Sequence, residues 1–170
     1  WGQFIPSSYR HYAVDFDNDG VRDLLNNPVD AIGSIANYFK RNGWQRGEAV
    51  AFPVNATSKQ AKPWLRKSLK YRETFGQLQQ AGINLNVETA QHYAIDSPDA
   101  QWQNIGQKSS VKLLDFAQPD GKDYWLGLKK FYVITRYNHS KLYAMVAFQF
   151  SRQLAMGIKT IDEKAQENAI

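Results

Sequence analysis

Asp15, Asp17 and Asp19 alternate along the chain and are followed at once by Gly20. Alternation in a turning backbone aims three carboxylates at one point, which is chemistry for a hard cation. Calcium takes about 6–8 oxygen ligands, and an EF-hand loop supplies them from positions 1, 3, 5, 7, 9 and 12, with glycine at 6 for the sharp turn. Asp15, Asp17 and Asp19 fall at the first three of these positions, and Gly20 falls at the turn. Val21 comes next and would ligate through its backbone carbonyl; Asp23 stands where a water-mediated ligand is common. The final position, usually a bidentate Glu, is Asn26, and the next carboxylate is Asp30. The spacing predicts a lengthened loop that Asp30 closes around one structural Ca2+. Asp30 has a second reading, because Asn27 suits a helix cap, Pro28 the first helical position and Asp30 the capping-box site. Both roles can coexist on two carboxylate oxygens. The plain alternative for Asp15–Gly20 is a solvated acidic turn.

The loop must be held by its flanks. Pro6, Ser7 and Ser8 suggest a helix start, with Tyr9 and Tyr12 three apart on one face. Pro28 to Asn42 reads as the clearest helix: Ile32, Ile35, Ala36 and Phe39 follow helical spacing, and Gly43 can stop it. Two helices therefore bracket the loop, as an EF-hand requires.

Further along, Glu48 to Asn55 reads as a strand with Pro53 near its end. Lys59 to Arg72 is basic and without clear pattern. Thr74-Phe75-Gly76-Gln77 is a capping box opening a short helix to Gln80, ended by Gly82. Asn84 to Ser110 predicts a long surface loop with short strand pieces. Val111 to Phe116 and Lys122 to Leu128 read as a hairpin around Gln118-Pro119-Asp120-Gly121. Phe131 to Tyr137 reads as a short apolar strand. Ser140 to Arg152 is apolar on nearly all sides and predicts a buried helix. Thr160 to Ile170 turns charged and weakly patterned, as fraying termini do.

Composition sets the class. The chain has 170 residues, 43% hydrophobic and 22% charged, which is the range of globular proteins. No apolar run reaches membrane-spanning length, and no signal-peptide pattern is read within these 170 residues. Cysteine is absent, which excludes disulfides and thiol chemistry. The net charge of +5 favours polyanions, yet no nucleic-acid motif accompanies it, so a solvated basic face is expected and nucleic acid is not. Aromatic content of 14%, with nine Tyr and five Trp, suits either stacking on sugar rings or a large aromatic core. No catalytic constellation stands by itself. His11, His92 and His139 share no metal-ligand spacing, and Asp120 and Asp123 flank a turn where solvation is the simpler reading.

Several segments together carry a resemblance. They are Gly2-Gln3-Phe4-Ile5-Pro6-Ser7-Ser8-Tyr9, Tyr12-Ala13-Val14-Asp15 with its acidic loop, Pro28-Val29-Asp30-Ala31-Ile32-Gly33-Ser34, Ala36-Asn37-Tyr38-Phe39, and Phe131 to Ser140. The chain closely resembles the family of membrane-bound lytic murein transglycosylase B and its soluble forms, across nearly its whole length and most sparsely from Lys59 to Gly106. The resemblance implies an α+β fold: a mainly helical, lysozyme-like core, an EF-hand-like calcium loop and a small inserted β subdomain. It divides the chain into 1–44 (core with the loop), 45–130 (β-containing subdomain) and 131–170 (a strand and helix returning to the core). It implies cleavage of the β-1,4 bond between N-acetylmuramic acid and N-acetylglucosamine in peptidoglycan, giving a 1,6-anhydro product. A single Glu would act as acid and then as base, with help from the substrate's N-acetyl group, a known exception to the two-carboxylate scheme.

That Glu belongs to a Glu-Ser-x-x-Gly-type motif ahead of the Gly-Gln-Phe segment. Glu48, Glu73, Glu88, Glu163 and Glu167 lie in no such motif. The sequence also starts at Trp1 rather than Met, so it reads as a processed form or a fragment resembling the C-terminal part of the enzyme, inactive alone. Carried over by motif, the substrate-binding residues would be Gln3, Tyr38, Tyr137, Asn138 and Tyr143, with core packing as the alternative for each tyrosine. The implied partner is the peptidoglycan glycan strand, met by a monomer in the periplasm. Membrane contact would come only through a lipid anchor outside this sequence. Two other readings stand beside this one: a non-catalytic, calcium-dependent peptidoglycan-binding module, and a calcium-sensing module, which one loop and two Met disfavour.

Overall fold

The computed structural model describes residues 2–94 and 105–167. The chain forms two compact units, 1–45 and 46–170.

In the first unit, α1 (Pro6–Tyr12) and α2 (Pro28–Arg41) flank the acidic loop. Both open with proline at the start, where its fixed φ fits and its missing N–H costs nothing. The Asn27 side chain caps α2 by accepting the backbone N–H groups of Val29 and Asp30. Past Asn42 the chain leaves the helix through Gly43 at φ +94, a left-handed conformation that glycine adopts without a steric penalty. Tyr38 is buried, with Tyr12 edge-on at 4.6 Å between ring centroids and Phe4 at 6.0 Å.

The second unit is built on a five-stranded antiparallel sheet. Its elements are β1 (Ala51–Asn55), α3 (Ser58–Ala61), β2 (Glu73–Thr74), α4 (Phe75–Gln80), β3 (Asn84–Leu85), α5 (Val87–Ala94), β4 (Ser110–Gln118), β5 (Gly121–Gly127), α6 (Lys129–Tyr137) and α7 (Lys141–Glu167). The strand order is β2-β4-β5-β1-β3. The expected hairpin is β4–β5, in register from Lys112↔Gly127 to Gln118↔Gly121. The Thr74–Gln77 capping box is made as predicted, and a second one, Thr57–Gln60, opens α3. Strand alternation sends Val111, Leu113, Tyr124 and Leu126 into a core with Val54, Phe75, Leu78 and Ile83. Lys112 and Leu114, with their cross-strand neighbours Gly127 and Trp125, lie on the opposite face.

Four expectations are corrected. Phe131–Tyr137 is not a strand: it belongs to α6, which buries Phe131, Val133, Ile134 and Thr135. Val133, Ile134 and Thr135 are β-branched and favour strands locally, but that preference is weak and packing overrides it. Secondly, 84–110 is not all loop and strand pieces, because Val87–Ala94 is helical; 95–104 lie outside the described residues. Thirdly, α7 is longer than the 140–152 stretch and runs through Glu167. It buries Ala144, Met145 and Phe148 on one side while Leu142, Val146, Phe150, Leu154 and Ile158 are exposed, so apolar composition overstated its burial. Finally, the basic residues are not all on a solvated face, since Lys130 is buried.

Candidate functional site

Asp30, Ser34 and Asn37 stand at i, i+4 and i+7 of α2 and therefore share a face. The backbone of 12–16 runs antiparallel along that face and is fastened at alternate residues. Asn37 Nδ2 donates to the Tyr12 carbonyl at 2.9 Å. The Val14 N–H donates to Ser34 Oγ at 3.0 Å. The Phe16 N–H donates to Asp30 Oδ1 at 2.7 Å. Gly33 completes the seat: a Cβ there would stand 2.5 Å from the root of the Phe16 ring, so only glycine lets Phe16 lie against the helix.

Past Phe16 the loop folds around its own carboxylates. Asp15 accepts the N–H groups of Asp19 (3.2 Å) and Gly20 (2.9 Å). Asp19 Oδ1 accepts the Val21 N–H at 2.8 Å. Asp17 Oδ2 accepts from Asn27 Nδ2 at 2.8 Å, which ties the loop to the residue that caps α2. Gly20 has φ +92 with open space around it, so glycine is required by backbone conformation and not by crowding. α1 adds a further hold, since the Tyr9 hydroxyl donates to the Arg22 carbonyl.

Asp15, Asp17, Asp19 and Asp30 thereby each bring a carboxylate oxygen within 4.8 Å of the others. Four like charges at that spacing oppose one another, while the N–H donors offset only part of the repulsion. Each carboxylate keeps lone pairs beyond those hydrogen bonds. The donor set is all oxygen and strongly anionic, which fits a hard divalent cation and not a soft one.

Asp30 is fully buried and does not make the capping-box bond to Asn27. Its second oxygen instead accepts the Asp23 N–H at 2.9 Å, so it clamps both limbs of the loop. Asp23 itself is outside the quartet. Its carboxylate accepts the N–H groups of Leu25 and Asn26 and the Asn26 amide. The hydrogen bonds from Asn26 hold the Asp23 carboxyl below its ordinary value.

The residues carried over for substrate are divided between the units. Gln3 is exposed at φ +47, next to Phe4 in the cluster around Tyr38. In the second unit Tyr137 ends α6 and Asn138 follows it as C-cap. Asn138 Oδ1 accepts the Ser140 N–H at 3.2 Å, and Ser140 Oγ accepts the Tyr143 N–H at 3.2 Å. Those two bonds link Asn138, Ser140 and Tyr143 at the α6–α7 junction, with Tyr143 40% exposed and not interior to its helix. Nearby on β4, hydrogen bonds from Lys122 and Lys141 lower the Asp115 carboxyl to about 2. Asn27, Gly33, Ser34 and Asn37 escaped sequence reasoning as loop-holding residues; the i, i+4, i+7 polar spacing from Asp30 was the available signal.

The family model described as Transglycosylase SLT domain matches residues 1–152, and the chain belongs to that family. It is 42% identical over 156 residues to membrane-bound lytic murein transglycosylase B of Escherichia coli K12, covering 92% of this chain and 37% of that protein. Among solved structures it is similar to the Escherichia coli lytic transglycosylase Slt35 in complex with calcium (41% identity, TM-score 0.72, 92% of this chain and 43% of that one). It is also similar to SltB3 of Pseudomonas aeruginosa in complex with NAG-anhNAM-pentapeptide (32% identity, TM-score 0.64, 84% and 34%). The chain thus spans less than half the length of each of these relatives. No helix among the described residues is long and apolar enough to cross a membrane.

Proposed function

We propose that this chain is the C-terminal part of a periplasmic peptidoglycan lytic transglycosylase, a lyase that cleaves the MurNAc–GlcNAc β-1,4 bond and leaves a 1,6-anhydromuramic end. The observation that carries the reading is the 42% identity to a lytic murein transglycosylase over 92% of this chain. In this reading the general acid/base Glu lies outside the present sequence. The chain supplies a calcium-braced scaffold and part of the glycan contact.

Asp15, Asp17, Asp19, the Val21 carbonyl and Asp30 are the residues we assign to one Ca2+. The oxygen-only quartet supports a hard cation, and the calcium complex of Slt35 supports its identity. The ion would neutralise the acidic cluster and brace the loop between α1 and α2. Gln3 and Asn138 present amides suited to acetamido and hydroxyl groups, and Tyr137 and Tyr143 present ring faces and hydroxyls suited to sugars; Tyr38 is buried against Tyr12 and Phe4 and would serve by supporting the wall beside Gln3. The SltB3 complex, with its NAG-anhNAM-pentapeptide, supports a glycan ligand.

Incubation with purified sacculi tests the proposal. The chain alone should sediment with sacculi and release no anhydro-muropeptides. A longer polypeptide that adds the acid-bearing segment should release them. Release by the chain alone would place the acid within it; no release by the longer polypeptide would overturn the enzymatic reading in favour of a binding module.

A further inference from the structure

Lys112 sits on β4, 2% exposed, and its Nζ has no hydrogen-bond partner among the described residues. A buried ammonium is stable only with a counter-charge and hydrogen-bond acceptors, or when it gives up its proton. Its cross-strand neighbour is Gly127, which offers no side chain. Glu73 is buried and acts on it electrostatically without bonding to Nζ: its Oε1 lies 3.4 Å from Arg66 Nε, and its Oε2 has no hydrogen-bond partner among the described residues. Burial pulls the Lys112 ammonium below its ordinary value, in keeping with a charge that lacks a close partner.

Lys112 lines a cavity of about 400 Å³. Arg66, Lys67 and Lys141 also line it, against the single carboxylate of Asp115. Asp115 is already spoken for, with Lys122 at 2.7 Å on one oxygen and Lys141 on the other. Leu65, Leu69 and Leu114 give the cavity apolar wall. It lies beside the part of β4 that β2 leaves unpaired, since β2 pairs only with Ser110 and Val111.

We propose that this cavity binds a carboxylate, with the Lys112 ammonium as its buried counter-charge, Arg66 and Lys141 beside it, and the leucines against the ligand's carbon skeleton. Leu65, Leu69 and Leu114 in the wall suit an anion that carries a carbon skeleton, which favours a carboxylic acid over inorganic phosphate. Two sources share this chemistry, the free carboxylate of a peptide such as a peptidoglycan stem, and a small branched carboxylic acid. The carboxylate assignment does not rest on the proposed lyase activity.

The test is calorimetric titration of the chain and of Lys112→Met, a substitution that keeps an unbranched side chain one atom shorter and removes the charge. The probes are a stem pentapeptide, the same peptide with every carboxyl amidated, isovalerate and isovaleramide. At least one free acid should bind, with affinity at least tenfold weaker after amidation and at least tenfold weaker in Lys112→Met. Tighter binding of the pentapeptide would assign the cavity to a peptide; tighter binding of isovalerate would assign it to a small acid. Lys112→Met should melt no lower than the parent, because the lost group has no hydrogen bond to break. Should the variant fold poorly, the NMR signal of the Lys112 Cε methylene in the parent chain replaces it and should shift with the free acid and not with the amide. Binding by neither acid, or equal binding by Lys112→Met, or binding of the tighter acid's own amide (the amidated peptide or isovaleramide) equal to that of the acid, would overturn the assignment.

Discussion

The Oδ1 atom of Asp30 accepts the Phe16 N–H at 2.7 Å, binding the entry of the acidic loop to the first turn of the helix that leaves it. Its other oxygen holds Asp23, so Asp30 has a folding role apart from any metal. Asp17 is exposed and has only peripheral bonds. The two should separate by mutation. Asp17→Ala should melt near the parent in chelator and lose the calcium-dependent rise, which mass action puts at about 2.7 kcal/mol for calcium at 100 times its Kd. Asp30→Ala should melt lower even in chelator, by roughly 1–3 kcal/mol, because two part-buried N–H groups lose a charged acceptor. Scanning calorimetry of both variants with calcium and with chelator decides; a calcium-dependent rise surviving in Asp17→Ala would remove the metal assignment.

Gly33→Ala should disturb the loop from the helix side. The added methyl would meet the Phe16 Cβ and Cγ, which cannot swing away as a ring edge can. We expect a loss of about 1–3 kcal/mol, together with weaker calcium binding, since Phe16 must lift off Asp30. Thermal melts paired with a calcium titration would show it. An unchanged melt with unchanged affinity would mean that Gly33 is not the seat of Phe16.

Acid should weaken the second unit through Asp115. Its carboxyl is lowered to about 2 by bonds from Lys122 and Lys141, below the unfolded value near 3.9. A depressed carboxyl stabilises the fold above its unfolded pKa, and that contribution disappears as pH falls through the folded pKa. The window is therefore about pH 4 down to 2. Both lysines are half-exposed, so screening reduces the contribution to about 1–2 kcal/mol. Denaturant melts of the parent should lose more stability across that window than melts of Asp115→Asn; equal losses would count against the pairing.

Asn138→Ala, in a polypeptide long enough to act on peptidoglycan, should weaken glycan binding more than it weakens the fold. The side chain is exposed, and its bond to the Ser140 N–H is local. Loss of one such bond costs about 0.5–1.5 kcal/mol, a few degrees in the melting temperature. Sacculus binding and thermal melts on the same variant would distinguish the roles. A large drop in melting temperature with normal binding would make Asn138 a structural cap alone.

Much of the architecture was written in short-range signals. Pro28 with Asn27, Thr74 with Gln77, Pro119-Asp120-Gly121 and the Asp15–Gly20 alternation each act within a few residues, where backbone geometry and one or two side-chain bonds decide the outcome. Such signals survive into the tertiary structure because nothing distant has to agree with them. The acidic quartet is the clearest instance: the first three carboxylates were legible as a set from spacing alone.

The remainder depended on residues far apart in sequence. The Asp30 carboxylate chose between Asn27 and the limbs of the loop only once 12–16 had been laid along α2. Val133, Ile134 and Thr135 prefer strand locally, yet they are helical because α6 buries them. Leu142, Val146 and Phe150 look like core in composition and are exposed, because burial is fixed by which neighbours the fold supplies and not by polarity. Lys112 reads as one more surface cation in a basic chain. The β4–β5 pairing sets it opposite Gly127, in the wall of a cavity, with its charge buried.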